Sequence, residues 1–91
     1  MTDEVRNNEA EHRYELEVKG ELALAAYRLS DDRIVFTHTE VPTALEGRGI
    51  ASTLIKAALD DVRAKGLKVV PACAFVKHYI DKHPETQDLL A

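Results

Sequence analysis

The sequence predicts an α/β fold: a compact mixed sheet of about four strands, one strand-helix-strand crossover and a C-terminal helix. Three observations carry that expectation. Side chains alternate with period two along much of residues 13–41, apolar residues recur at helical spacing between Ile50 and Val62, and a short β-branched run follows a glycine at Leu67 to Pro71.

The elements follow in chain order. Met1 to Glu11 is dominated by Asp, Glu, Asn and Arg, has little to bury, and reads as a flexible leader, leaving residues 12–91 as a single domain. From Arg13, Tyr14, Leu16 and Val18 point one way and Arg13, Glu15, Glu17 and Lys19 the other, a half-buried strand. Lys19-Gly20-Glu21 gives a turn into a second strand, Leu22 to Leu29, so the pair predicts a hairpin. Ser30-Asp31-Asp32 is the next turn signal. Arg33 to Val41 is rich in β-branched and aromatic residues and predicts an interior third strand. Strict alternation puts Ile34, Phe36, His38 and Glu40 on one of its faces and Val35, Thr37, Thr39 and Val41 on the other. Pro42 cannot donate to a ladder, so the chain leaves the sheet there.

Ile50, Leu54, Ile55, Ala58, Leu59 and Val62 define the apolar side of a helix whose other side carries Lys56, Asp60, Asp61, Arg63 and Lys65. Gly66 suits its C-terminal cap, and Leu67 to Pro71 returns as a buried strand. Phe75, Val76, Tyr79 and Ile80 then recur at helical spacing within Ala74 to His83, with a short helical tail beyond Pro84. The third and fourth strands are parallel across the crossover. The loop after the third and Cys73 after the fourth therefore emerge at the same sheet edge, where open α/β sheets bind ligands.

That loop, Leu45-Glu46-Gly47-Arg48-Gly49-Ile50-Ala51, is the strongest functional signal. Gly47 and Gly49 accept backbone conformations that other residues resist, and they let main-chain amides approach an anion that a helix N-terminus already attracts. Arg48 adds a fixed positive charge. The amides from Glu46 to Ser52 are the expected phosphate cradle.

Composition narrows the function classes. Ninety-one residues with 45% hydrophobic content suit one small core. The net charge of −4, with 12 Lys and Arg among 16 Asp and Glu, lacks the basic excess that neutralises nucleic-acid phosphates, so no nucleic-acid partner is expected. No apolar run reaches the roughly 20 residues a bilayer requires, so no membrane span is expected. A single cysteine and a polar N-terminus predict a cytoplasmic protein. His12, His78 and His83 form no metal spacing with one another or with Cys73, so no metal is expected.

The run of strand, Glu46-Gly47-Arg48-Gly49-Ile50-Ala51, helix, strand and helix resembles the GNAT-type N-acetyltransferase superfamily, particularly its smallest stand-alone members, over about Tyr14 to Pro84. The superfamily signature is Gln or Arg, two variable residues, Gly, one variable residue, then Gly or Ala. Gly49 and Ala51 match its last two positions, whereas Glu46 departs from the first. The resemblance implies a minimal GNAT-like fold and acetyl-coenzyme A, or coenzyme A, as bound co-substrate. It implies that the amides of Glu46, Gly47, Arg48, Gly49, Ile50, Ala51 and Ser52 hold the pyrophosphate. It further implies that the pantetheine arm enters a gap between the parallel strands and bonds to the backbone of Glu40 and Val41. Tyr79 matches the position of a tyrosine that can protonate the leaving thiolate, although His83-Pro84 stands where Gly-Phe is usual. Cys73 matches a cysteine considered as an acetyl carrier in small members. The pair of helices that larger members use to enclose the acceptor is missing, so the acceptor site is expected to be open or completed by a partner, a homodimer being one such arrangement.

Acetyl transfer needs a neutral amine, a donor for the developing oxyanion and an acid for the leaving sulfur. Glu40 or His38 could take the amine proton: His38 titrates nearest neutrality, and Glu40 would need burial. Either could instead be a polar residue satisfied beside the sheet. Cys73 precedes a helix and is either an acetyl carrier or a small buried hydrophobe. Tyr79 is either an acid or a packing residue. The expected activity is transfer from acetyl-coenzyme A to a small amine or a protein amine, and the alternative is a coenzyme A-binding module without turnover.

Overall fold

A computed structural model describes residues 5–47 and 49–91. Arg48, the charge expected in the glycine loop, lies outside the described residues. Strands β1 (Arg6–Asn8), β2 (Arg13–Val18), β3 (Glu21–Ser30), β4 (Arg33–Glu40) and β5 (Lys68–Pro71) form one five-stranded sheet whose spatial order follows the chain. Neighbours are antiparallel up to β4, and β5 runs parallel to β4. Helix α1 (Ile50–Ala64) makes the crossover, α2 (Ala74–Lys82) follows β5, and short 3-10 turns cover Thr43–Leu45 and Pro84–Leu89.

The sheet therefore has five strands where about four were expected. The additional strand, Arg6–Asn8, falls in the polar stretch read as a leader. It is held by polar contacts that leave no apolar pattern: Asn8 Nδ2 and Arg6 Nε donate to the Glu15 carboxylate at 3.0 and 3.3 Å, and Tyr27 Oη donates to Asn7 Oδ1 at 2.6 Å.

Cross-strand pairing sorts the sheet into two faces. Tyr14 lies opposite Ala25, Leu16 opposite Ala23 and Tyr27 opposite Phe36, and all six are buried. Ala23 and Ala25 carry the smallest side chains of this face and leave room for α1, which packs across β2 and β3 with Leu54, Ile55, Ala58, Leu59 and Val62. Helix α2 packs on β4 and β5 and touches α1. Tyr14 Oη donates to Asp61 Oδ2 at 2.6 Å and so ties α1 to β2. Burial and the adjacent Asp61 raise the tyrosine pKa far above its ordinary value. The opposite face, with Leu22, Leu24, Ala26 and Val35 half-buried, is covered by no helix among the described residues.

Strict alternation along β4 fails at one residue. Ala26 pairs with His38 and Tyr27 with Phe36, which leaves Thr37 as an extra residue in the strand. The phase resets there. Phe36 faces the helices beside Tyr27, and so does Thr39, which pairs with the buried Ala25. His38 and Glu40, paired with Ala26 and Leu24, face the helix-free side. His38 and Glu40 thus share a face, as alternation required, but it is not the face of Ile34 and Phe36.

Candidate functional site

The site begins where β4 and β5 part. Their pairing runs only from Arg33 opposite Lys68 to Phe36 opposite Pro71. Pro71 has no N–H for a further rung, and Ala72 N–H turns back to Val70 O at 3.0 Å. Cys73 N–H then donates to Phe36 O at 2.8 Å, the last link before the chain enters α2. Strand β4 continues to Glu40 paired with β3 alone. A wedge opens between Thr37 to Val41 and the start of α2.

The glycine loop forms the adjoining corner. Leu45, 2% exposed, anchors the 3-10 turn that delivers Glu46 and Gly47 to the surface. Gly47 and Gly49 have φ of 81° and 71°, a region L side chains rarely enter, and Gly49 is the N-cap of α1. A Cβ at either glycine would meet nothing within 4 Å, so the backbone angle and not crowding by the protein selects glycine. The first helical bond of α1 is Thr53 N–H to Gly49 O at 3.0 Å. The amides of Ile50, Ala51 and Ser52 therefore have no partner within the helix, no side chain caps them, and the first turn carries no acid. These donors border a cleft of about 260 Å3 whose apolar wall is Val41, Leu45, Ile50 and Phe75. Uncapped amides beside open space suit a phosphate group, and the apolar wall suits an alkyl chain, so the residues present fit a coenzyme A-type ligand.

On the other side of Val41 and Glu46 lies a second cleft of about 420 Å3, reached by Leu22, Thr39, Glu40 and Pro42. His38 Nε2 and Glu40 Oε2 pair at 3.1 Å beside it, with both side chains about 60% exposed, so the burial that Glu40 would need is missing. Cys73 is half-buried at the inner end of the wedge, and its Sγ lies 3.2 Å from Thr39 Oγ1.

The expected residues thus fall into two groups. Val41, Glu46, Gly47, Gly49, Ile50, Ala51 and Ser52 share one cleft, with Glu40 and His38 beside the adjoining cleft and Cys73 at the wedge between β4 and α2. Tyr79 is not brought to them. It is buried, stacks on His83 with ring centroids 3.8 Å apart, and lines a separate cavity of about 440 Å3 with Lys56, Asp60 and Glu85. Burial, with a smaller contribution from the Glu85 charge, raises its pKa.

Thr39 and Phe75 are the site residues that sequence reasoning missed. Phe75 lies one helical turn before Tyr79, and its spacing marked it only as part of a helix face. Thr39 was assigned to the opposite face by alternation, which the extra residue at Thr37 reverses. Among the described residues, no cluster of three metal-binding side chains occurs, and no helix is long and apolar enough to cross a membrane.

The fold and the sequence are similar to those of other proteins. The solution structure of a GCN5-like protein from Staphylococcus aureus superposes with a TM-score of 0.75 and 30% identity, covering 97% of this chain and 87% of that one. Protein NATD1 of Homo sapiens is 44% identical over 68 residues, which are 74% of this chain and 60% of that protein. Protein NATD1 of Gallus gallus shows the same 44% identity over 68 residues, 62% of its length. The matched region thus spans less than two thirds of these relatives, and their name states no activity. A family-level sequence model described as GCN5-related N-acetyl-transferase matches residues 13–89. With that match across nearly all of the sheet and both helices, this chain belongs to the GCN5-related N-acetyltransferase family.

Proposed function

We propose that this protein binds acetyl-coenzyme A at the glycine corner and transfers its acetyl group to an amine, either a small molecule or a group on a protein. The observation that carries the reading is the conjunction of uncapped α1 amides with a sheet that parts beyond Phe36 and Pro71. When bound, acetyl-coenzyme A supplies an activated thioester. The amides of Ile50, Ala51 and Ser52 hold the diphosphate, Val41 and Phe75 flank the arm, and the backbone of Glu40 and Val41 bonds to it.

Two routes use the chain's own groups differently. In the direct route the His38–Glu40 pair would take the proton of the attacking amine, through water because both side chains are exposed, and the coenzyme A sulfur would leave as the thiolate and take a proton from solvent. In the covalent route the Cys73 sulfur forms a bond to the acetyl carbon as the coenzyme A sulfur departs. The Cys73 proton would pass to that departing sulfur, and the amine would then displace Cys73, whose sulfur takes the proton the amine gives up. Tyr79, in its separate cavity, is assigned to packing in this proposal. A thiol kept free for such chemistry suits a reducing compartment such as the cytoplasm.

The departure at Glu46 and the remoteness of Tyr79 favour a second reading, a coenzyme A-binding module without turnover. One experiment separates the two. The protein is incubated with acetyl-coenzyme A and with coenzyme A; melting is followed for both, and intact mass and acetylation of a panel of amines are followed for the first. The enzyme reading expects stabilisation by both ligands and an acetylated amine. Stabilisation with no transfer to any amine supports the module, and no stabilisation by either ligand overturns both readings. In Cys73→Ala, stabilisation with loss of transfer supports the covalent route, and undiminished transfer selects the direct one.

A further inference from the structure

We propose that Thr39 is the positioning residue of the wedge: its hydroxyl holds the Cys73 sulfur turned toward the opening between β4 and α2, the orientation in which the sulfur can react. The inference rests on the acyl-transfer reading only for what the sulfur then does with an acetyl group. The geometry itself is independent of any ligand.

Three observations converge on this pair. The Cys73 backbone is fixed by its amide bond to Phe36 O at 2.8 Å, but the side chain retains a choice of rotamers. In the structure the sulfur meets Thr39 Oγ1 at 3.2 Å while the residue packs against the rim of the apolar core. Thr39 is well suited to decide among those rotamers. It is β-branched and stiff at χ1, and its strand is held from the other side by pairing with Ala25. The extra residue at Thr37 is what brings it there, because uninterrupted alternation from Phe36 would turn residue 39 to the helix-free face. The bulge thus delivers a hydroxyl to the one cysteine of the chain. A hydroxyl can donate to sulfur as negative charge develops on it, whereas a methyl group of the same size cannot.

The test compares Thr39→Val, which keeps the shape without the hydroxyl, with Thr39→Ser, which keeps the hydroxyl. The readout is the rate at which iodoacetamide alkylates Cys73 in the folded protein at fixed pH, with melting temperature recorded for each variant. Loss of one hydrogen bond to a charged group predicts alkylation slower by about tenfold in Thr39→Val. In Thr39→Ser the rate is expected to stay within about twofold of the parent, the spread allowed for a change that keeps that bond. Equal rates in Thr39→Val and the parent would overturn the proposal. So would an equally slow Thr39→Ser, because the methyl packing would then be the cause. If Thr39→Val does not fold, Thr39→Ser against Thr39→Ala decides on the same criteria. Failure of the acyl-transfer reading is separately visible: alkylation then depends on Thr39 while acetyl-coenzyme A leaves Cys73 unmodified and no amine is acetylated.

Discussion

Glu15 shows how a single side chain can belong to the surface and still be buried. It lies on the helix-free face at 2% exposure, covered by Arg6, Asn8 and Arg13, with Arg13 Nε donating at 2.6 Å. Burial acts to raise its pKa, but the hydrogen bonds from Arg13 and Asn8 and the Arg13 charge outweigh it and hold the carboxyl below its ordinary range. A carboxyl lowered in the folded state contributes stability above its unfolded pKa, and that contribution disappears as pH falls through the folded one. Glu15→Gln is therefore expected to cost about 1–2 kcal/mol near neutral pH, with the difference from the parent shrinking in acid. A penalty that stays constant in melting scans from neutral pH into acid would contradict the charge argument. At Gly49 the constraint is the backbone. A β-branched residue at a φ of 71° costs about 1–2 kcal/mol, yet its Cβ meets no protein atom within 4 Å. Gly49→Val is expected to fold with a lowered melting temperature and to bind coenzyme A at least about tenfold more weakly, the loss of roughly one charge-assisted hydrogen bond. Affinity unchanged in a calorimetric titration would place the phosphates elsewhere.

At the scale of elements, the informative strand is β4, whose first half belongs to the sheet on both sides and whose second half belongs to it on one. The bulge lies at that division. Bulges bend a strand and increase its twist, and β4 loses its pairing with β5 at this point while keeping β3. Deleting Thr37 would place Phe36 and His38 on adjacent rungs opposite Tyr27 and Ala26 and keep every other side chain on its present face. The variant is expected to fold with its near-neutral circular dichroism intact but to lose most of its coenzyme A-induced melting shift, because the wedge narrows. A full shift would show that the proline at position 71 alone opens the gap. The alternation of β2 and β3, the helix of Ile50 to Ala64 and the crossover were legible because each buries one continuous apolar stripe. The strand at Arg6–Asn8 and the phase reset in β4 were not, since one rests on Glu15 and Tyr27 and the other on pairing with Ala26 and Tyr27, partners distant in sequence.

For the whole molecule, a single small core makes ligand binding visible as stability. A ligand at 100 times its dissociation constant stabilises by about 2.7 kcal/mol, and a domain of this size shifts by roughly 4–8 °C per kcal/mol. Saturating coenzyme A is therefore expected to raise the melting temperature by more than about 10 °C, and a shift below about 2 °C at any concentration would leave the glycine corner without its ligand.

Local chemistry determined much of this protein in advance. Residue periodicity set the type and order of its main elements, and two glycines ahead of a helix marked a corner with free helix-end amides, because backbone conformation and helix-end amides are properties of a few consecutive residues. Tertiary structure decided which groups meet there. It joined Thr39 to Cys73, turned His38 and Glu40 to the helix-free face and sent Tyr79 to another cavity. Those outcomes depend on strand register and on the side of α2 that faces α1, which are fixed only when distant segments pair and pack.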